Sequence, residues 1–223
     1  MLKDRNNIRQ LPWFTLSFGV AAAVLGLLPE HIQGFFQFDR DEVLKGEYWR
    51  LFTGHFVHWN MDHLFWDLSV FLICGGLLEW FRRPFMVGIS ILGAVIVSLG
   101  LLFLQPEMIY YRGLSAIDMG LVAAFCLIAI SYCRLRNRKV MERLWCLCLG
   151  ACLVKPVLEA FLGTTFFVSE FGWGIQASPL SHVFGILTGL IIASGIFLWK
   201  RFLNRPGYNH TSQTHRPSEI SIF

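Results

Sequence analysis

The chain has 223 residues, of which 55% are hydrophobic and only 15% are charged, and its formal net charge is +4. A soluble domain carries about 25% charged residues, so this composition excludes an ordinary soluble protein and indicates an integral membrane protein. The basic residues lie between apolar runs rather than in one patch, which argues against a nucleic-acid partner.

Six apolar runs are candidates for crossing a bilayer, which needs about 20 residues per helix. Proline, charge or a polar stretch bounds each run, and Pro84 and Pro106 mark two of the breaks. The predicted spans are Pro12–Leu28, Met61–Phe81, Phe85–Leu104, Gly113–Tyr132, Leu144–Leu162 and Leu180–Trp199. We expect the first run to be retained, because no A-x-A-like cleavage site follows it. Residues 1–203 are therefore predicted to form one all-α membrane domain, a six-helix bundle.

The segment between the first two spans, residues 29–60, is too long for a turn and too aromatic for a solvated loop. Its aromatic residues, interleaved with charges, are Phe35, Phe36, Phe38, Tyr48, Trp49, Phe52, Phe56 and Trp59. One interpretation is an amphipathic segment on the membrane surface. The other is a loop partly inserted in the membrane and tied down by Trp49-Arg50. Both predict a membrane-associated first loop.

Lysine and arginine alternate between the two sides of the predicted bundle. They are frequent at the N-terminus, after the second and fourth spans and at the C-terminus, and the turn at 163–179 has none. Basic residues favour the cytoplasmic side, so both termini are predicted to be cytoplasmic. Residues 204–223 are rich in Asn, Ser, Thr, His and Pro and are predicted to form a disordered cytoplasmic tail.

Two reactive side chains, Ser115 and His182, open the fourth and sixth spans, and the predicted orientation places both near the outer face. A polar group at membrane depth costs several kcal/mol unless it is satisfied. A serine and a histidine brought together by the fold can act as nucleophile and base. Each also has a simpler interpretation, because Ser115 could cap its helix and His182 could be a packing histidine bonded to backbone.

The fifth span carries Lys155 and Glu159, four residues apart. Charges inside a membrane usually face protein and mark function. One interpretation is a pair that neutralises itself across one helical turn. The other is that Lys155 neutralises Asp118 or Asp67 and so sets the electrostatics of a site.

The six cysteines lie in or beside the apolar runs, so we interpret them as small apolar residues rather than as a disulfide framework. Their spacing does not match a zinc knuckle. The sequence therefore predicts no bound metal and no cofactor.

Five motifs, in order and at set spacings, resemble those of the rhomboid intramembrane serine proteases. They are a Trp-Arg pair with two following histidines, H-x-x-x-N (here H-x-x-x-D), a Gly-rich turn ending in Glu, G-x-S-G (here G-L-S-A) and H-x-x-G-x-x-x-G. The positions that carry them are Trp49, Arg50, His58, His63, Asp67, Glu79, Gly113, Ser115, Ala116, His182, Gly185 and Gly189.

The resemblance implies that Ser115 attacks a peptide carbonyl while His182 transfers the proton, as a dyad that needs no third residue. It also implies an oxyanion hole formed by the Ser115 N–H, the His63 side chain and the side chain at position 67. An ionised carboxylate cannot donate a hydrogen bond, so Asp67 is expected to be protonated or paired with a cation.

Three further residues depart from the family pattern or add to it. Ala116 replaces the glycine after the nucleophile, and Met119 stands where many rhomboids have a tyrosine packed on the histidine. Asp118 places another acid near the site. In rhomboids the fifth helix and its neighbouring loop gate substrate access, so the aromatic turn Phe166–Trp173 is interpreted as a lid.

The leading hypothesis is a serine endopeptidase of the bacterial plasma membrane that cleaves membrane-anchored proteins near the outer face. The sequences Tyr111–Ser115 and Trp49–His58 resemble the rhombosortase branch, which implies substrates with C-terminal sorting signals. The alternative is a catalytically inactive rhomboid-like protein that binds transmembrane helices, which Asp67 and Ala116 favour. A transporter or channel is the third hypothesis, but the ionisable residues gather near the outer leaflet instead of lining a path.

Overall fold

The computed structural model describes residues 11–163 and 178–203, with side chains described up to residue 195. Most of this part of the chain is helical, and its only sheet has two short strands. The predicted lid at Phe166–Trp173 and the predicted tail at 204–223 lie outside the described residues.

The described elements follow one another in a simple order. The helices are α1 (Trp13–Gly26), α2 (Glu30–Phe36), α3 (Arg40–Leu44), α4 (Arg50–Thr53), α5 (Met61–Val70), α6 (Gly76–Leu104), α7 (Ser115–Leu135), α8 (Lys139–Leu162) and α9 (Pro179–Leu203). A π-helical turn, Phe71–Gly75, joins α5 to α6. The strands are β1 (Phe38–Asp39) and β2 (Tyr110–Tyr111).

Three helical stretches in the described chain are long and apolar enough to cross a membrane. They are Met61–Leu104, Ser115–Leu135 and Lys139–Leu162, while Trp13–Gly26 and Pro179–Gly195 are apolar but shorter. These stretches and the apolar composition indicate a multi-pass membrane protein.

The second and third predicted spans are joined in one helical stretch, although a break between them was expected at Pro84. The helical stretch from α5 to the end of α6 covers 44 residues, and inside α6 the backbone is non-helical at Arg82 (φ −155°, ψ 70°). Pro84 follows two residues later; it lacks an N–H and its ring excludes a regular helical bond, which favours a kink at this point. The sequence therefore located the break, but the structure makes it a kink rather than a loop.

Helix α7 lies at the centre of the bundle and packs against α6, α8 and α9. Its crossing with α9 depends on glycines: a methyl group on Gly185 would overlap the carbonyl of Ala116, and one on Gly189 would overlap the carbonyl of Gly120. Small residues let two membrane helices approach closely at the level of their backbones. This close approach brings the first turns of α7 and α9 together.

Two arginines hold the first loop in place: Arg50, which is buried, binds the loop itself, and half-buried Arg40 binds the bundle. The Arg50 guanidinium donates to the carbonyls of Gly34 and Gln37. The Arg40 guanidinium donates to four carbonyls at the end of α6 and just beyond it, those of Leu101, Leu102, Gln105 and Met108. Strand β1 pairs antiparallel with β2, so Phe38 lies opposite Tyr111. The loop therefore reaches the turn immediately before Ser115.

Candidate active site

Ser115 is the first residue of α7, and the turn that precedes it is tightly packed. Gly113 has a φ of +119°, a conformation that L side chains rarely adopt, and a methyl group there would come within 2.7 Å of the His63 ring. This requirement explains the glycine two residues before the serine. The turn thus presents Ser115 at a fixed place beside α9.

His182 lies in the first turn of α9, with its ring buried. Its Nε2 atom is 3.1 Å from Ser115 Oγ. This distance is within hydrogen-bonding range, as a nucleophile and its base require. The simpler interpretations, a helix cap and a backbone-bonded packing histidine, do not describe this side-chain contact.

The other ring nitrogen of His182 faces Glu159 of α8. His182 Nδ1 is 2.8 Å from Glu159 Oε2, and Lys155 Nζ is 2.7 Å from Glu159 Oε1. Lys155 Nζ also lies 3.4 Å from His182 Nδ1. Lys155 and Glu159 therefore form the predicted pair across one helical turn. Both also contact His182, for which the sequence interpretation had expected no third residue.

Asp67 is buried and accepts the backbone N–H groups at the start of α7. Its Oδ2 atom is 2.8 Å from Leu114 N and 3.0 Å from Ser115 N. The Nε2 atoms of His58 and His63 each lie 3.2 Å from the same oxygen. Asp67 Oδ2 thus accepts N–H groups at a helix N-terminus, where such groups lack partners inside the helix. Its expected place in an oxyanion hole, either protonated or paired with a cation, stays a prediction.

Of the two histidines beside Asp67, His63 lies on a capped helix and His58 is a buried ring. The Asn60 side chain caps α5 by accepting the His63 N–H at 2.8 Å, which sets the start of the helix that carries His63 and Asp67. Burial lowers the pKa of His58, although the neighbouring Asp67 opposes the shift. His58 is therefore a neutral ring near pH 7.

The remaining acidic residue near the site, Asp118, is buried, and within the described part of the chain neither of its carboxylate oxygens has a hydrogen-bond partner. Lys155 binds Glu159; the other interpretation, that Lys155 neutralises Asp118 or Asp67, stays a prediction. Met119 lies in a small buried cluster with Ala123, Cys152 and Ile186.

The other predicted positions serve the framework. Trp49 packs against Phe35 with ring centroids 5.6 Å apart, and Arg50 binds carbonyls of the first loop. Glu79 accepts hydrogen bonds from the backbone of Phe14 and from the backbone and hydroxyl of Thr15. It thereby fastens the start of α1 to α6.

Arg112 was not singled out by sequence reasoning, yet it anchors the turn before Ser115. Its buried guanidinium pairs with both Glu30 oxygens, donates to Gln37 Oε1 and lies 4.4 Å from the Trp59 ring centroid. The hydrogen bond from Arg112 lowers the pKa of Glu30. The available signal was an isolated arginine three residues before the candidate nucleophile.

His55, also missed, ties the first loop to the same turn. Its Nδ1 lies 3.2 Å from the Gly113 carbonyl and its Nε2 lies 3.0 Å from the Ala94 carbonyl. Burial lowers the pKa of His55 to about 4 despite these carbonyls. Its signal was a histidine three residues before His58 in an otherwise apolar run.

A family model for the Rhomboid domain matches residues 45–199 of the chain. The chain belongs to the rhomboid family. None of the curated proteins searched matches it. Rhomboids are generally intramembrane serine proteases that act on transmembrane substrates, which agrees with the apolar helices of this chain. Within the described part of this rhomboid, no group of three or more His, Cys, Asp or Glu side chains is arranged to hold a metal ion.

Proposed function

We propose that this rhomboid is a serine endopeptidase in which Ser115 is the nucleophile and His182 is the general base. The observation that carries the proposal is the 3.1 Å contact between Ser115 Oγ and His182 Nε2 at the crossing of α7 and α9. A catalytically inactive protein has no need to keep this pair in contact within an apolar bundle.

The reaction follows from the roles of the two side chains. His182 Nε2 takes the hydroxyl proton as Ser115 Oγ attacks the scissile carbonyl, and it then returns the proton to the leaving amine. A water molecule, deprotonated by the same nitrogen, hydrolyses the acyl-enzyme and restores the serine. The proton transfers in both steps use His182, whose Nε2 already contacts Ser115 Oγ.

The oxyanion that forms during attack needs hydrogen-bond donors, and the Ser115 N–H is the nearest candidate. In the resting protein this N–H donates to Asp67 Oδ2. We infer that the carboxylate must release the N–H before the oxyanion can accept it. Losing one such donor costs about 10²–10³ in rate, so Asp67 should slow the enzyme without abolishing catalysis.

The substrate class proposed is membrane-anchored protein, cut near the outer face of a bacterial plasma membrane. The distribution of Lys and Arg supports cleavage at the outer face and cytoplasmic termini. The proposal assigns residues 1–203 to the six-helix membrane domain and residues 204–223 to a tail. The resemblance of Tyr111–Ser115 to rhombosortases supports substrates with C-terminal sorting signals.

The test is cleavage of a transmembrane substrate by the purified protein in liposomes. We expect Ser115→Ala and His182→Ala each to lower kcat by about 10⁶, below detection, because nucleophile and base act as a unit. The matched control is Ser131→Ala, which removes a hydroxyl on the same helix that donates to the Leu127 carbonyl of its own helix. Full cleavage by Ser115→Ala would refute the proposal. If the folded wild-type protein cleaves no substrate, that result would favour the inactive helix-binding alternative.

A further inference from the structure

Glu159 faces the side of His182 that points away from the nucleophile. It is 1% exposed, on α8, and its Oε2 atom is 2.8 Å from His182 Nδ1. We propose that Glu159 is a positioning residue for His182, so that the reacting unit is Ser115–His182–Glu159. This inference rests on the proposed function, because it assigns a role within that same site.

The group that faces Nδ1 decides which tautomer His182 adopts. To accept the Ser115 proton, Nε2 must carry a lone pair, so in the neutral ring the hydrogen must be on Nδ1. A carboxylate at 2.8 Å accepts that hydrogen and stabilises this tautomer. An ammonium can bond Nδ1 only through a lone pair, which would select the opposite, unreactive tautomer.

Two groups, the Glu159 carboxylate and the Lys155 ammonium, face His182 Nδ1. Lys155 Nζ is 3.4 Å from Nδ1 but only 2.7 Å from Glu159 Oε1. The ammonium is attracted more strongly to a carboxylate, which carries the opposite charge, than to a neutral ring nitrogen, so the ammonium is held by the carboxylate. Glu159 thus binds the ring with one oxygen and the lysine with the other.

Lys155 also affects the charge of Glu159. Burying an isolated carboxylate is unfavourable, and a paired cation offsets much of that cost. Lys155 therefore keeps Glu159 ionised and fixes its orientation. When His182 takes up the serine proton, the imidazolium forms against this carboxylate, whose negative charge stabilises it.

The experiment compares steady-state cleavage by wild type, Glu159→Gln and Glu159→Asp in the same liposomes. An amide can donate its N–H to Nδ1 and favour the wrong tautomer, and the comparable change in a serine-protease triad lowers kcat by about 10⁴. We expect Glu159→Gln to lower kcat by at least about 10² with KM within about twofold. Glu159→Asp, which restores the charge, should recover part of the lost kcat.

The matched control is Glu142→Gln, on the same helix, whose carboxylate pairs with Arg134 at 2.8 Å; it should keep wild-type kcat. The inference is overturned if Glu159→Gln keeps kcat within about threefold, or if Glu159→Asp is no better than Glu159→Gln. In either case an inactive Ser115→Ala leaves the proposed function intact. Should Glu159→Gln not fold, ¹⁵N chemical shifts of His182 in the wild-type protein decide: Nδ1–H supports the inference and Nε2–H overturns it.

Discussion

Two buried carboxylates flank Ser115, and they differ in the donors that they bind. Glu159 binds the Nδ1 side of His182 and the ammonium of Lys155. Asp67 binds the backbone N–H of Leu114 and of Ser115. The first lies behind the base, where negative charge supports proton transfer. The second takes the N–H that an oxyanion would use, so the same chemical group is expected to help at one place and to hinder at the other.

Both carboxylates act on a Ser115–His182 pair that depends on the α7–α9 contact, and Gly185→Ala should disrupt this contact. The added methyl group meets the Ala116 carbonyl, so α9 must move away and carry His182 from Ser115. A displacement of about 1 Å at a reacting centre can cost about 10² in rate, which is the loss of kcat we expect.

The control for this prediction is Gly195→Ala, on the same helix, because among the described residues none outside its own helix places an atom within 4 Å of a methyl group there. It should retain wild-type kcat. A Gly185→Ala protein with wild-type activity would show that the observed crossing does not set the distance between nucleophile and base.

A smaller change, in the opposite direction, is expected for Asp67→Asn. The amide removes the negative charge beside the oxyanion and adds a donor, so we expect kcat to rise roughly tenfold, less than the value of about 10²–10³ for a whole donor. The measurement is steady-state cleavage, with Asp62→Asn, an exposed position on the same helix, as the control. An inactive but folded Asp67→Asn protein would mean that the carboxylate itself is required.

The smallest effect at neutral pH concerns His55, which holds the turn before Ser115. Its pKa is near 4 in the folded protein and near 6.5 when unfolded, so the unfolded chain binds more protons between these values. Stability from His55 is complete above about pH 6.5 and is lost as the pH falls toward 4. The difference in Tm between wild type and His55→Gln should therefore become smaller as the pH is lowered through this range.

The matched control is His31→Gln, at an exposed position, measured at the same pH values. Parallel Tm curves for wild type and His55→Gln from pH 7 to 4 would contradict the assignment of His55 as a neutral, buried ring.

The family and the helical membrane character could be predicted from the sequence because they depend on local patterns. Apolar runs give the helices, and the spacing of Gly113, Ser115 and His182 carries the rhomboid resemblance. The break near Pro84 was visible for the same reason. Whether that break forms a loop or a kink depends on packing, which the local pattern does not contain.

The hydrogen-bond partners of Glu159 and Asp67 could not be predicted, because they depend on how separate helices pack against one another. The spacing of Lys155 and Glu159 indicated a pair on one helix, but it could not reveal that this face of α8 meets the first turn of α9. Likewise, a family-based alignment of Asp67 with an oxyanion donor could not show that its oxygen accepts two backbone N–H groups.

The most direct test of the Ser115–His182 pair is labelling by a fluorophosphonate, which reacts only with an activated serine, followed by mapping of the modified residue by mass spectrometry. We expect modification at Ser115 in the wild-type protein and loss of that modification in His182→Ala. Labelling at Ser115 that persists in His182→Ala, or no labelling of folded wild-type protein, would contradict the assignment of these residues as nucleophile and base.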